Sequence, residues 1–180
     1  PERAAALKPA NLDFVQAASV PMVALTSWQA LKERAGLRRG QKVFIPAGSG
    51  GIGTFAIQLA KHLGATVATT TSAANVALVK GLGADVVVDY KAQDFADVLR
   101  DYDVVLNSQD AKALAKSLRV LKPGGKLVSI SGPPDPEFGE EIAAPGLVER
   151  MRCFARAKSV GIRLHCRSGR RAGTVLKPTP

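Results

Sequence analysis

The stretch that decides the fold runs Val43-Phe44-Ile45-Pro46-Ala47-Gly48-Ser49-Gly50-Gly51-Ile52-Gly53-Thr54-Phe55-Ala56-Ile57-Gln58-Leu59-Ala60-Lys61-His62-Leu63-Gly64. Val43-Phe44-Ile45 is a short apolar run of the kind a buried strand carries. Ile52, Phe55, Ala56, Leu59, Ala60 and Leu63 then recur at helical spacing, and Gly64 can end that helix. Between them, Gly48, Ser49, Gly50, Gly51, Ile52 and Gly53 fit G-x-G-x-x-G. The pattern alone is weak, because glycine-rich turns are common and need hold no ligand. Its place between a strand and a helix gives it meaning. Gly48 would permit the tight turn, Gly50 would leave room for a pyrophosphate, and Gly53 would let helix and strand pack closely. The helix N-terminus offers free N–H groups to the phosphates. No Gly-Lys-Ser/Thr follows, which excludes a P-loop.

The same alternation extends outward. Thr26 can cap a helix that turns Trp28, Leu31 and Ala35 to one face and ends at Gly36. Thr66 to Thr71 is β-branched and strand-like. Ala73 to Leu82 predicts a helix with Val76, Val79 and Leu82 inward, closed by Gly83. Val86–Val88 and Asp103–Leu106 predict strands three and four, with a short helix over Asp94–Arg100 between them. Leu114, Leu118 and Leu121 mark a further helix stopped by Pro123-Gly124-Gly125, and Leu127–Ile130 a fifth strand. Residues 132–146 hold four prolines and read as a loop, and Val160–Leu164 fits a sixth strand. Regular βαβ alternation with apolar strands implies an α/β fold, a Rossmann-type doubly wound parallel sheet with helices on both faces.

The end of the second strand bears on which dinucleotide would fit. A site selective for NAD places Asp or Glu there for the ribose hydroxyls. Here the strand runs into Thr69-Thr70-Thr71-Ser72-Ala73-Ala74-Asn75, and no acid occurs from Gly48 to Ala84. A carboxylate would repel a 2′-phosphate, whereas hydroxyl and amide donors accept one. Ser72 and Asn75 are therefore candidate contacts for NADP(H). The competing reading is that they cap the following helix.

The 180 residues are 46% hydrophobic and 22% charged, an ordinary globular composition. No apolar run reaches the ~18 residues of a membrane span. Two cysteines, Cys153 and Cys166, exclude a disulfide scaffold and a four-cysteine zinc site, and a reducing cytoplasm is the expectation. The net charge of +10 would suit nucleic acid, but its distribution argues against that partner. Residues 149–180 carry nine Lys/Arg against Glu149 alone, leaving only +2 for residues 1–148. The excess is a tail containing Arg163, Arg167, Arg170 and Arg171, read as a solvated or altered chain end. His62 reads as a helix-end cation, and His165 beside Cys166 does not make a ligand set.

Taken together, several stretches resemble the medium-chain dehydrogenase/reductase superfamily, in its zinc-independent, quinone-oxidoreductase-like branch. They are Ala18-Ser19-Val20-Pro21-Met22-Val23-Ala24-Leu25-Thr26-Ser27-Trp28-Gln29-Ala30-Leu31, Gly40-Gln41-Lys42-Val43 leading into the glycine loop, Leu82-Gly83-Ala84-Asp85 with Asp89-Tyr90, and Leu121-Lys122-Pro123-Gly124-Gly125-Lys126-Leu127-Val128. The resemblance spans residues 8–132. It implies that Thr26 lies near the nicotinamide, that Tyr90 approaches the adenosine 2′-phosphate, and that Asn107 and Ser131 line the nicotinamide side. Asn75 stands where the family commonly has a phosphate-holding Lys. Asn107-Ser108-Gln109-Asp110 departs from the family's Asp-x-x-Gly-Gly. Zinc-dependent relatives place a catalytic cysteine shortly before the residue matching Thr26; Pro21-Met22-Val23 offers none, so no metal is expected.

The resemblance further implies that residues 1–25 lead in from an absent N-terminal catalytic domain, with the dinucleotide-binding domain over 26–164 and an irregular basic tail over 165–180. That tail is either truncated or frame-shifted, or a divergent end. The expected function is hydride transfer from NADPH to a quinone or α,β-unsaturated carbonyl, with no general acid nominated, no membrane or nucleic-acid partner, and homodimerisation inherited from the family. The alternative is a non-catalytic NADPH-binding or sensor protein. A methyltransferase would want an acid after the second strand, and none is present.

Overall fold

A computed structural model describes residues 6–131 and the backbone of Arg152–Cys153. In chain order the elements are α1 (Phe14–Trp28) running on into wider π-helical turns (Gln29–Ala35), β1 (Lys42–Ile45), α2 (Gly51–His62), β2 (Thr66–Thr71), a 3₁₀ turn (Ala73–Asn75) into α3 (Val76–Gly81), β3 (Val86–Asp89), α4 (Phe95–Val98), β4 (Tyr102–Asn107), α5 (Ala111–Val120), β5 (Leu121–Ser129) and β6 (Arg152–Cys153). The strands form one sheet in the order β3-β2-β1-β4-β5-β6, every pair parallel. This is the doubly wound order, with its switch point between β1 and β4.

Both faces of the sheet are buried, as the apolar strands require. In β1, Val43 and Ile45 join one core with Leu31, Leu37, Ile57, Val67, Val104 and Leu106. Phe44, between them, points to the opposite core with Val88, Val105, Leu114, Leu118 and Leu127. That alternation is the period of two that a strand imposes. Phe44 stacks at a tilt on Phe95, with centroids 4.8 Å apart.

Four local readings need correction. Thr26 does not start a helix. Asp13 does, through a reciprocal capping box in which its carboxylate accepts from the Gln16 amide at 2.7 Å while the Gln16 side chain accepts from the Asp13 amide at 3.1 Å. Thr26 lies inside α1, its hydroxyl donating to the Met22 carbonyl at 2.7 Å. Pro21, which removes a donor within α1, obscures the longer helix in the sequence. Trp28 is 43% exposed rather than inward, while Leu31 and Ala35 are buried. The helical turns do end at Gly36, which takes a left-handed φ of 65°.

The last helix stops at Val120 rather than at Pro123, and β5 begins at once. Its register jumps from Tyr102↔Leu121 to Val104↔Lys126, so Lys122-Pro123-Gly124-Gly125 bulges out of the ladder. A Cβ at Gly125 would lie 3.0 Å from the Lys122 and Tyr102 carbonyl oxygens, so the bulge is tight against backbone and favours a glycine there. Arg152–Cys153 takes the sixth position in the sheet. The Val160–Leu164 reading and the 165–180 tail, with His165 and Cys166, lie outside the described residues.

The edge where the strands begin is held by carboxylates. Asp85 accepts from the Val67 amide at 2.7 Å and from Lys61 Nζ at 2.8 Å. Asp103 accepts from the Lys42 amide at 2.8 Å and pairs with Lys122. Burial alone would raise both carboxyls. The lysine and backbone hydrogen bonds outweigh it and hold both below the ordinary carboxylate value.

Candidate functional site

At the opposite edge, where the strands end, three consecutive threonines of β2 hold the end of β1 and the glycine loop that follows it. Thr69 Oγ1 donates to the Ile45 carbonyl at 2.6 Å. Thr70 Oγ1 accepts from the Ala47 amide at 2.9 Å, and the Thr70 carbonyl accepts from the Gly48 amide at 2.9 Å. Thr71 Oγ1 donates to Ser49 Oγ at 3.0 Å. The left-handed residue of the turn is Ala47, at φ 56°, and not Gly48. An alanine there costs about 1–2 kcal/mol, which the two hydrogen bonds to Thr70 can offset. Gly48 is needed for space: a Cβ would sit 2.1 Å from Thr69 Oγ1.

Gly53 is constrained in the same way. A Cβ there would fall 2.4 Å from the Ala47 carbonyl oxygen and 2.7 Å from Gly48 Cα, so the first turn of α2 seats directly on the loop. Gly50 differs. It is the N-cap of α2 in ordinary extended backbone, φ −78° and ψ 167°, and no side chain caps the helix. It is also exposed. The first-turn amides thus face the loop mouth with their positive end of the helix dipole. The fit to a pyrophosphate is steric and electrostatic at once.

Beyond β2, Ser72 stands at the N-cap of the 3₁₀ turn and Asn75 at the N-cap of α3, yet neither side chain makes a capping hydrogen bond. The capping alternative therefore does not account for them. Asn75 Nδ2 instead reaches Ser72 Oγ at 3.5 Å, so the two predicted residues share one position at the end of β2. Tyr90 follows β3, its amide donating to the Thr71 carbonyl at 3.2 Å. Its side chain is 59% exposed.

Asn107 and Ser131 also meet, although 24 residues separate them: Asn107 Nδ2 donates to Ser131 Oγ at 3.3 Å and to the Gln109 carbonyl at 3.1 Å. Ser131 Oγ donates to the same carbonyl, and Ser129 Oγ lies 3.4 Å from Ser131 Oγ. This knot closes the ends of β4 and β5 beside the switch point. Thr26 lies on α1, which packs on α2. Val23 would touch a Cβ on Gly51 at 3.7 Å, and Thr26 is one helical turn further along. Among the described residues no three His, Cys, Asp or Glu gather as a metal site, and His62 is exposed near the end of α2.

Thr69, Thr70, Thr71, Ser129 and Gln109 were not singled out from the sequence. The run Thr69-Thr70-Thr71 was visible there only as a strand. Its hydrogen bonds span 22 to 24 residues and leave no local pattern.

Residues 51–161 match the family described as zinc-binding dehydrogenase. The 2-methylene-furan-3-one reductase of Solanum lycopersicum is 41% identical over 133 residues, 73% of this chain and 34% of the relative. The chloroplastic NADPH-dependent alkenal/one oxidoreductase of Arabidopsis thaliana is 41% identical over 134 residues, with the same shares, 73% and 34%. The solved quinone oxidoreductase of Coxiella burnetii superposes with a TM-score of 0.73 at 36% identity, covering 83% of this chain and 46% of that one. The fold, the loop and these matches define a nucleotide-binding Rossmann unit of the dehydrogenase type. This chain belongs to the medium-chain dehydrogenase/reductase family, in its quinone-oxidoreductase-like branch. It spans about a third of the length of these two curated relatives.

Proposed function

We propose that the chain is the cofactor-binding part of a zinc-independent, NADP(H)-dependent oxidoreductase that reduces a quinone or α,β-unsaturated carbonyl. One observation carries the reading. An uncapped helix N-terminus behind an open Gly50 sits at the sheet's switch point, and the adjoining end of β2 presents Ser72 and Asn75 with no carboxylate. Gly48 to Gly53 would hold the pyrophosphate, and Ser72, Asn75 and Tyr90 the adenosine 2′-phosphate. Thr26, Asn107 and Ser131 would border the nicotinamide, which supplies the hydride when bound. The names of the Solanum and Arabidopsis relatives, a furanone reductase and an alkenal/one oxidoreductase, support the substrate class. Residues 26–164 would form the binding domain, with 1–25 leading in from a catalytic domain and 165–180 as a basic tail. Cytoplasmic location and a homodimer belong to the same reading. No helix among the described residues is long and apolar enough to cross a membrane.

The test is thermal unfolding of the chain with NADPH, with NADH and with neither. A ligand that binds only the folded state at a hundredfold excess over its Kd stabilises by about 2.7 kcal/mol. NADPH should raise Tm and NADH should raise it less. Ser72→Asp should weaken NADPH by about tenfold relative to NADH, the scale of 1.4 kcal/mol. Equal weakening of both would remove Ser72 from the 2′-phosphate. No shift with either cofactor in a cooperatively folded chain would overturn the binding reading. Binding without hydride transfer in a form that includes the catalytic domain would favour a sensor.

A further inference from the structure

We propose that Thr71 is a positioning residue for the cofactor, fixing the Ser49 hydroxyl as a hydrogen-bond donor at the mouth of the glycine loop. The inference rests on the dinucleotide reading and adds to it a residue that touches no ligand. Thr71 is 1% exposed, so its hydroxyl proton has to find a protein acceptor. The acceptor within reach is Ser49 Oγ at 3.0 Å, 22 residues earlier in the chain.

A hydroxyl has one proton to give and two lone pairs to receive. If Ser49 donated to Thr71, the buried Thr71 proton would be stranded, which is costly. Donation from Thr71 to Ser49 avoids that cost. It occupies a lone pair of Ser49 and leaves the Ser49 proton for a partner outside the pair. Ser49 is half-buried and lies between Gly48 and the Gly50 N-cap of α2, beside the uncapped first-turn amides. The partner that suits a hydroxyl proton and a helix N-terminus together is an anionic oxygen. The neighbouring threonines serve the backbone: Thr69 donates to the Ile45 carbonyl and Thr70 accepts from the Ala47 amide. Thr71 alone of the three acts on a side chain of the loop.

The test is a double-mutant cycle on NADPH binding by the 180-residue chain, read by calorimetry alongside Tm. Ser49→Ala should weaken NADPH by about tenfold, the size of a hydrogen bond to a charged group. Thr71→Val keeps the branched shape and removes the donor. It should weaken NADPH about three- to fivefold, because the Ser49 hydroxyl is then free to turn away. The double variant should bind no more weakly than Ser49→Ala alone, since both changes remove one device. Thr71→Ser, which restores the donor, should recover wild-type binding. Should Thr71→Val lose cooperative unfolding, Thr71→Ala, which also removes the donor, carries the same expectation. Additive losses, or wild-type affinity in Thr71→Val, would overturn the positioning role while leaving the dinucleotide reading intact. A folded wild-type chain that binds neither NADPH nor NADH would overturn both.

Discussion

The two edges of this sheet are built from different chemistry. Where the strands begin, Asp85 and Asp103 accept backbone amides of neighbouring strands and pair with Lys61 and Lys122. Both of these carboxylates have a lysine within reach, and that pairing closes the edge. Where the strands end, neutral groups do the holding: Thr69, Thr70 and Thr71 on the glycine loop, and Asn107, Ser129 and Ser131 at β4 and β5. The one carboxylate at a strand end, Asp89 on the outer strand β3, is turned onto the Lys91 amide at 2.9 Å. The helix N-terminus between these groups is left uncapped. A polyanion would meet lysines already paired with carboxylates at the first edge and an uncapped helix N-terminus at the second. Stability from charge and capacity for a ligand are thus kept apart, and substitutions at the two edges should have opposite signatures.

The largest effect is expected at Gly53→Ala. Alanine is better than glycine in a helix by about 1 kcal/mol, and an exposed helix would gain from the change. Here the added Cβ would lie 2.4 Å from the Ala47 carbonyl oxygen and 2.7 Å from Gly48 Cα. Both are backbone atoms of a turn bolted to β2, so relief requires α2 to lift off the loop. A loss of about 3 kcal/mol is expected, measured by urea unfolding, with cofactor binding lost as well. Gly50→Val separates the two. Its φ of −78° suits any residue, and the new Cβ would meet only the Ala47 carbonyl oxygen, at 3.2 Å, a tight contact relieved by a shift of a few tenths of an ångström rather than the 2.4 Å clash at Gly53. The fold should survive while NADPH and NADH both weaken severely. If Gly50→Val binds either cofactor normally, the cradle is not where the pyrophosphate lies.

The closed edge should show the reverse pattern. Asp103→Asn keeps the shape but replaces a charged acceptor that serves the Lys42 amide and pairs with Lys122. A loss of about 1–3 kcal/mol is expected, with NADPH binding per folded molecule unchanged. An affinity loss comparable to that of Gly50→Val would break the division between the edges.

These contrasts follow how much of the molecule was legible in the sequence. Periodic burial is a local signal, so the strands, α2 and the two-faced core could be read directly. The glycine loop could be placed because a strand and a helix flank it. Ser72 with Asn75 came from the missing acid after β2. The pairing of Asn107 with Ser131 required a family resemblance, because nothing local links two polar residues 24 apart. The threonine bolts were hidden for the same reason. The left-handed Ala47 was hidden by its identity, since such a turn normally advertises itself with glycine. The bulge of β5 was hidden too, because Pro123-Gly124-Gly125 reads as a stop rather than as a detour within a strand.

The smallest expected effect tests how far the closed edge depends on charge itself. Lys61 and Asp85 are partly exposed, their side chains 37% and 38% accessible, so their pairing is worth about 1 kcal/mol or less. Lys61 also lays its stem across Gly83, with its Cγ 2.8 Å from where a Cβ would stand on that glycine. Lys61→Met keeps the stem and removes the charge. Asp85 is held below its ordinary value in the folded chain: burial pushes it up, and Lys61 with the Val67 amide more than reverses that. A carboxyl depressed on folding adds stability that is present above its unfolded value of 3.8 and is lost as pH falls through the lower folded value. Removing Lys61 lets the Asp85 carboxyl rise, so the variant loses that stability at neutral pH. The Tm difference between wild type and Lys61→Met should therefore be small but present at pH 7. It should close as pH falls below the ordinary carboxylate range, because Asp85 is then protonated in both proteins. A difference that persists unchanged into acid would rule out the Asp85 pairing as its source, whereas equal Tm at every pH would assign the role of Lys61 to the stem over Gly83 that Met keeps, and the strand-starting edge would then owe that part of its stability to packing.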